Sequence, residues 1–462
     1  MSLTVDLQPS SESLDSHNTR AQRHPPSGIS VLVVGGGPAG VYAALECWRK
    51  EHHVSIVERN PVARTQGDFF NTTPHVIEHI RTNWSELGEE KERIAEGSWV
   101  SYHRVNGQLM SGPEPFDWKK AGIEDDGSPA PARMYRHNRP KFLGMLISQL
   151  ERLGIRNEYG CRVVDCCENA QKAGIVLDDD RRLEADVVVA ADGIGSKSHR
   201  LVNGQEIRAR GSGLAGPRAA FPVQAICDDE ELNKHFGILD SRHPHFQMWI
   251  RPGVHMSMLR TNDINNGAAT ESWNESVDAD SAFQYVSAVK DFSEYAKRLI
   301  RASPEGGIVD WKIMWRDPQP VIISPLGRVV QGLEDAIYLA SCLGLGGKDN
   351  NQRATKIHNR LRFERVSCCQ KVGFINQARR DTRDVELDPS MIKSEHGRWM
   401  WRHDPESYPY NNYSRALDHL QNGAPFQNTN TPPGHTHEPW SVDYLMGRVE
   451  QGLPVEFDGG WS

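Results

Sequence analysis

Residues Ile29–Glu58 read ISVLVVGGGPAGVYAALECWRKEHHVSIVE, and this stretch decides the fold. Val31–Val34 is a run of apolar side chains suited to a strand buried on both faces. Three glycines follow in the spacing Gly35, Gly37, Gly40. The first permits a sharp turn, the second lets backbone approach a pyrophosphate with no Cβ in the way, and the third lets a helix pack closely on the strand. Pro38 suits a first helical turn, where no N–H is missed, and Ala39 keeps that turn small. The N–H groups and positive dipole end of such a helix face phosphate. Val54, Ile56 and Val57 mark a second strand, and Glu58 at its end can accept hydrogen bonds from the two hydroxyls of an adenosine ribose, with Arg59 beside it. Glycines alone are a weak signal; strand, turn, helix, strand and terminal carboxylate together predict a dinucleotide-binding βαβ unit.

Working outward, residues 1–28 are rich in Ser, Pro, Asn and His without apolar periodicity, and are expected to form a disordered leader. The segment RPKFLGMLISQLERLG from Arg139 places Phe142, Leu143, Met145, Leu146, Leu150 and Leu153 at helical spacing. Cys161–Asp165 and Ala173–Leu177 read as short strands, and Ala185–Ala191 as another. Between about 206 and 325, pieces such as HFQMWIRPGVHMSMLR and GIVDWKIMW are strand-like, with one helical stretch at Ser281–Ala302. Helices are expected near 332–343 and 354–378, and 385–462 reads as an extension wrapped on the surface. The expected fold is thus α/β: a Rossmann-like domain over 29–205 and 326–384, interrupted at 206–325 by a mixed β-sheet layer facing a substrate.

The bulk composition narrows the partners. The 462 residues carry 53 Lys and Arg against 61 Asp and Glu, a net charge of −8. With basic residues dispersed, neither nucleic acid nor an anionic membrane is an expected partner. No apolar run reaches the ~20 residues that span a bilayer, and a cytoplasmic location is expected. Eight cysteines, including the vicinal pairs Cys166–Cys167 and Cys368–Cys369 but no C-x-x-C, fit neither a zinc site nor a disulfide framework. No metal is expected.

Further along, Ala191-Asp192-Gly193 and the following Ile194–Arg200 resemble the D-G fingerprint of FAD-dependent aromatic hydroxylases of the p-hydroxybenzoate and salicylate hydroxylase type. Arg139, in R-x-x-F, is similar to the arginine which that family places near the FAD pyrophosphate. Trp249–His255 (WIRPGVH) resembles the family's W-x-x-P-x-x-H strand-turn-strand, Trp315–Pro318 (WRDP) and Gly327–Val330 (GRVV) resemble the lead-in to its last FAD motif, and Gly332–Ala336 (GLEDA), His358–Arg365 (HNRLRFER) and Gly423–Phe426 (GAPF) resemble its filamentous-fungal, secondary-metabolism branch. The likeness runs from about residue 29 to the end. It implies a GR2-type FAD-binding domain and a monooxygenase that uses NAD(P)H and O2 to hydroxylate, or oxidatively dearomatise, a phenolic or polyketide-type small molecule. Cofactor contacts would come from Gly35, Gly37, Pro38, Ala39, Gly40, Glu58, Arg59, Arg139, Asp192 and Gly193. Substrate contacts would come from the insert, with Gln247, Trp249, Arg251 and His255 as candidates, and Met258 near them. Catalytic side chains are not assigned, because in such enzymes the cofactor carries the hard step while protein orients substrate and excludes water.

One departure stands out. In the family, a strand like Gly327–Val330 runs into a G-D-A/S-A-H segment and a P-x-x-G-x-G loop before the G-x-E-D-A helix. Here Val330 is followed at once by Gln331-Gly332-Leu333-Glu334-Asp335-Ala336, so the third FAD motif is missing. Gly344–Asp349 (GLGGKD) does not replace it, because it comes after that helix. A catalytically impaired relative that keeps the fold and part of the nucleotide site is therefore the competing expectation, and a leaky NAD(P)H oxidase a third.

Overall fold

The computed structural model describes residues 4–6, 21, 23–63, 69–96, 99–115, 135–203, 207–219, 223–236, 245–260, 276–305, 308–319, 329–381, 397–451, 453 and 458–461. At its centre lies a parallel sheet in the order Val187–Ala190, Ser30–Val34, His53–Glu58, Arg156–Tyr159. Val31, Leu32, Val33 and Ile56 are buried on one face or the other, as a strand covered on both sides requires. The helix Pro38–Arg49 packs against Arg139–Arg152 and Val329–Gly346, joining Val41, Ala44 and Leu45 with Phe142, Leu146, Leu333, Ile337 and Ala340 in one core. These elements together make the α/β architecture expected from the sequence.

The chain departs from expectation in several local places. The strand following the Arg139–Arg152 helix is Arg156–Tyr159, whose side chains RNEY show no apolar pattern. It is held by backbone pairing to Ser55–Glu58 instead. The expected strand at Cys161–Asp165 shifts to Val163–Glu168, antiparallel to Ala173–Leu177 in a separate sheet. Within the expected leader, Thr4–Asp6 pairs in parallel with the edge strand Arg182–Ala185, Ala21 bridges to Trp84, and the Ser27 N–H donates to Glu51 O at 3.2 Å. An open sheet edge offers unpaired N–H and C=O groups to any nearby segment, whatever its composition.

The second layer is a sheet in the order Val254–Arg260, His245–Arg251, Trp99–Arg104, Leu109–Pro115. Two of its four strands come from ahead of residue 206, so the layer is not confined to 206–325. Arg210–Ala219 and Ile308–Trp315 pair elsewhere, with Ser276–Val277 at the edge. The helical stretch Ser281–Ala302 is two helices, Ala279–Ser287 and Glu294–Arg301. Asp291, at φ 61°, breaks it, and the Ser293 N–H donates to Val105 O at 2.8 Å.

Val329 and Val330, expected to end a strand, instead open the Val329–Gly346 helix; Gly327 and Arg328 lie outside the described residues. Only Gln331 and Gly332 separate them from Leu333, too few for a strand, a turn and a new helix start, and the helical path runs straight through. The chain 385–462 also holds more order than its composition suggests: Ser407–Asn422 is a helix closed by Gly423 at φ 70°, and Tyr413, Ala416 and Phe426 enter the main core. No helix among the described residues is long and apolar enough to cross a membrane.

Candidate FAD and substrate site

The glycine turn sits at the carboxyl ends of the parallel strands, where ligands bind in open α/β sheets. Gly35 has φ +112° and donates its N–H to Val57 O at 2.8 Å. A Cβ there would come within 2.4 Å of Ala191 O, and one at Gly40 within 1.9 Å of Gly35 O. Both glycines are therefore required by the protein's own packing. Gly37 differs: a Cβ there would meet nothing within 4 Å, so the space in front of it is open. Pro38 occupies the first helical turn and is buried, and Ala39 beside it is half-buried.

Glu58 turns back onto this loop. Its Oε2 accepts the Gly36 N–H at 2.6 Å, and its Oε1 accepts the Asn60 N–H at 2.9 Å and the Asn60 side-chain amide. A carboxylate has about four acceptor positions. Next to the turn, Asp192 follows the Val187–Ala190 strand, and its Cα lies 3.0 Å from the Cβ position at Gly35. Burial pushes the Asp192 carboxyl above its usual range; Ser196, the Lys197 N–H and the charge of Arg59 act against that shift. Its Oδ1 is buried with no hydrogen-bond partner among the described residues. Gly193, at φ +85°, has nothing within 4 Å of its Cβ position. An orphaned carboxylate oxygen beside an open helix N-terminus suits a ligand carrying hydroxyls next to phosphates, as the ribose, ribityl and pyrophosphate parts of FAD do.

Arg139 begins a helix whose N-cap, Asn138, accepts the Lys141 N–H at 3.2 Å. That helix leads directly into Arg156–Tyr159, parallel to the central strands, so it runs back along the sheet and starts at the carboxyl edge. The structure thus gathers Gly35–Gly40, Glu58, Arg59, Asp192 and Gly193 at one edge and starts the Arg139 helix there too. Gly344–Gly347 is the end of a helix, with Gly347 at φ +70°, and not a phosphate loop.

The substrate candidates divide by strand parity. Gln247 and Trp249 are buried under helices, with Ile226, Leu232, Phe236, Val286, Ala296 and Leu299. Trp249 Nε1 donates to Gln247 Oε1 at 3.1 Å, Gln247 Nε2 donates to His235 O at 2.9 Å, and the Trp249 ring stacks on His103 at 5.4 Å. Both side chains are thus held in packing contacts beneath these helices. Arg251 shares their side of the strand and donates to Lys290 O at 2.8 Å. His255 is exposed on the following strand. The opposite face, which sequence reading passed over, carries Phe246, Met248 and Ile250 beside Val100, Tyr102 and Met110. The alternation in HFQMWIR was the available signal, since it sets Phe246, Met248 and Ile250 apart from Gln247, Trp249 and Arg251, but it does not say which face a neighbouring layer covers. No cluster of His, Cys, Asp and Glu among the described residues could hold a metal ion.

Comparison with known proteins agrees with this geometry. Residues 28–286 match the FAD binding domain family. The FAD-dependent monooxygenase fsr3 of Gibberella fujikuroi is 34% identical over 95% of this chain and 91% of its own length. The FAD-dependent monooxygenase mdpD of Emericella nidulans is 37% identical over 95% and 92%. The aligned stretch with fsr3 has 480 positions, more than the 462 residues here, so that relative carries residues this chain lacks. Among solved structures, FqzB superposes with a TM-score of 0.74 at 22% identity, covering 89% of this chain and 98% of that one. A salicylate hydroxylase substrate complex gives 0.60 at 18%, covering 85% and 98%. The central parallel sheet, the open glycine turn at its carboxyl edge and relatives alike over nearly their whole length lead to one conclusion: this chain belongs to the FAD-dependent monooxygenases.

Proposed function

We propose that the enzyme hydroxylates, or oxidatively dearomatises, a phenolic or polyketide-type small molecule of secondary metabolism, with NAD(P)H as reductant and O2 as oxygen donor. The observation that carries this reading is the pairing of the nucleotide edge with a second, partly uncovered apolar face on Phe246 and Met248. When bound, FAD supplies the chemistry by which one oxygen atom enters an aromatic ring and the other leaves as water. The chain's own share is binding and shielding. Gly37 admits the pyrophosphate, Glu58 accepts adenosine ribose hydroxyls, Asp192 accepts a hydroxyl at its orphaned Oδ1, and Arg139 and Arg59 lend positive charge near the phosphates.

A second reading, a catalytically impaired relative, is favoured by one specific feature. The Val329–Gly346 helix begins where the family has a strand, a G-D segment and a glycine loop, so the backbone groups that would lie beside the flavin ring have no counterpart there. Ring shielding then depends on other segments. The deciding experiment measures the flavin absorbance of the purified protein, then NAD(P)H consumption, peroxide release and hydroxylated product over a panel of resorcinol-type phenols. The same assays are run on a version with a family-type G-D-A-H…P-x-x-G-x-G segment inserted after Val330. Stoichiometric flavin with product matching NAD(P)H in the natural chain supports the monooxygenase as it stands. A colourless protein, or peroxide in place of product until the segment is inserted, supports the impaired relative.

A further inference from the structure

The turn at 192–198 is built around the Asp192 carboxylate. Ser196 and the Lys197 N–H both bond to that group, while its Oδ1 is buried with no partner among the described residues. Within the turn, the Ser196 N–H donates to Gly193 O at 3.1 Å and the Ser198 N–H to Ser196 Oγ at 3.3 Å. These bonds are local, so they set the shape of the turn and not its place on the sheet. A long-range bond fixes the place: Arg316 Nη2 donates to Ile194 O at 3.0 Å across 122 residues. Arg316 follows the strand Ile308–Trp315 and is itself held from two sides. Its carbonyl accepts Gln370 Nε2 at 2.8 Å from the helix Asn351–Asp381, and the Trp315 ring lies 5.5 Å from Phe374 of that helix. Phe374 in turn lies 6.0 Å from Trp440, whose Nε1 donates to Ser367 Oγ at 2.8 Å. On its other side, Asp317 Oδ1 accepts the Val442 N–H at 2.7 Å, at the start of the helix Val442–Glu450, where Val442 and Leu445 are buried.

We propose that Arg316 is a positioning residue for FAD: it holds the turn at 192–198 so that the orphaned Asp192 oxygen faces the nucleotide edge, and the C-terminal segment 440–450 keeps Arg316 in place. This rests on the reading above that Asp192 accepts a hydroxyl of the cofactor, and adds what sets its aim. A hydrogen bond from a charged donor is stronger than one between neutral groups, and partial removal from water strengthens it further. Arg316 is half-buried, so its bond to Ile194 O has that advantage. Because Ser196 and Lys197 reach Asp192 from within the same turn, a turn that shifts carries its hydrogen bonds away from the carboxylate and lets the side chain swing. Flavin affinity is thereby set in part by a junction of strand, helix and C-terminal segment that lies outside the glycine turn.

The test uses the full chain stripped of flavin. Hydrogen–deuterium exchange is read across 192–198 before any FAD is added, and FAD affinity is then read by flavin fluorescence. Arg316→Met should speed exchange at 192–198 and raise the FAD dissociation constant about tenfold, while the melting temperature and the protection of the central strand Ser30–Val34 stay close to those of the natural chain. Arg316→Lys keeps a cationic donor and should recover a large part of both. Asp317→Ala releases the Val442 N–H and should move both in the same direction as Arg316→Met, by about two- to threefold in affinity. Unchanged exchange at 192–198, faster exchange with FAD affinity unchanged, or weaker affinity only in variants that also lose protection in the central sheet overturns the proposal. A natural chain that binds no FAD overturns the cofactor reading and this proposal together. A natural chain that binds FAD and forms hydroxylated product, while Arg316→Met binds FAD equally well, overturns this proposal alone.

Discussion

Gly37 and Gly40 are three residues apart, and side chains added to them fail for opposite reasons. At Gly40 a Cβ runs into Gly35 O, so Gly40→Ala must shift backbone and should lower stability by about 1–3 kcal/mol, read in a denaturant titration. At Gly37 the Cβ meets no protein atom. Gly37→Val should therefore melt close to the natural chain while losing retained flavin, measured by absorbance after gel filtration. Flavin held as tightly as before would remove Gly37 from the pyrophosphate site. Trp249 offers the complementary check. Buried beneath helices, Trp249→Ala should cost about 3–5 kcal/mol of stability and leave flavin retention unchanged. Lost flavin in a variant that melts like the natural chain would put Trp249 on the ligand side.

Among the elements, the Val329–Gly346 and Asn351–Asp381 helices are joined by a buried charge cluster. Glu334 accepts from Arg365 Nε at 2.7 Å and contacts His75 Nε2 at 3.0 Å, while Arg362 Nε donates to Asp335 Oδ1 at 2.7 Å. Burial alone would raise the Glu334 carboxyl, but Arg362 and Arg365 outweigh it and hold it well below the usual range. Arg365 also donates to Trp399 O and Asn430 O, both at 2.9 Å, which ties residues 397–431 to the FAD-binding half. Glu334→Gln leaves two buried guanidinium groups short of a counter-charge and should destabilise the fold by about 3–5 kcal/mol. A thermal melt together with limited proteolysis between residues 397 and 431 would read this. An unchanged melt would show the cluster to be dispensable.

Over the whole molecule, acid should unfold the protein earlier than its carboxylates alone would require. Burial lowers His52 and His358 to about 4 and His137 to about 3 from the ordinary 6.5. Each is neutral in the folded state, whereas the unfolded chain takes up protons below about 6.5. Stability is therefore full above that value and falls as pH drops from 6.5 toward 4, by on the order of 1–3 kcal/mol per histidine. Midpoints of denaturant unfolding measured between pH 7.5 and 4.5 should decline steadily, and His52→Gln should flatten part of the decline. A flat profile would mean that these histidines are solvated or already charged.

The residues Ile29–Glu58 determined the fold class by themselves, because a strand, a glycine turn, a helix and a second strand are local in the chain and each is written in its own side chains. The absence of the third motif was equally legible, since Val330 and Gly332 are separated by one residue. Which strands share a sheet was decided only in three dimensions: Arg156–Tyr159 carries no apolar pattern, and Trp99–Arg104 joins His245–Arg251 across more than a hundred residues. Backbone hydrogen bonds make those pairings, and backbone is the same in every residue. The face a side chain presents was likewise settled by packing. Helices cover Gln247 and Trp249, while Phe246 on the other side meets Arg136 from a distant part of the chain. Period-two alternation says that a strand has two faces; only the neighbouring layers decide which one meets solvent or ligand.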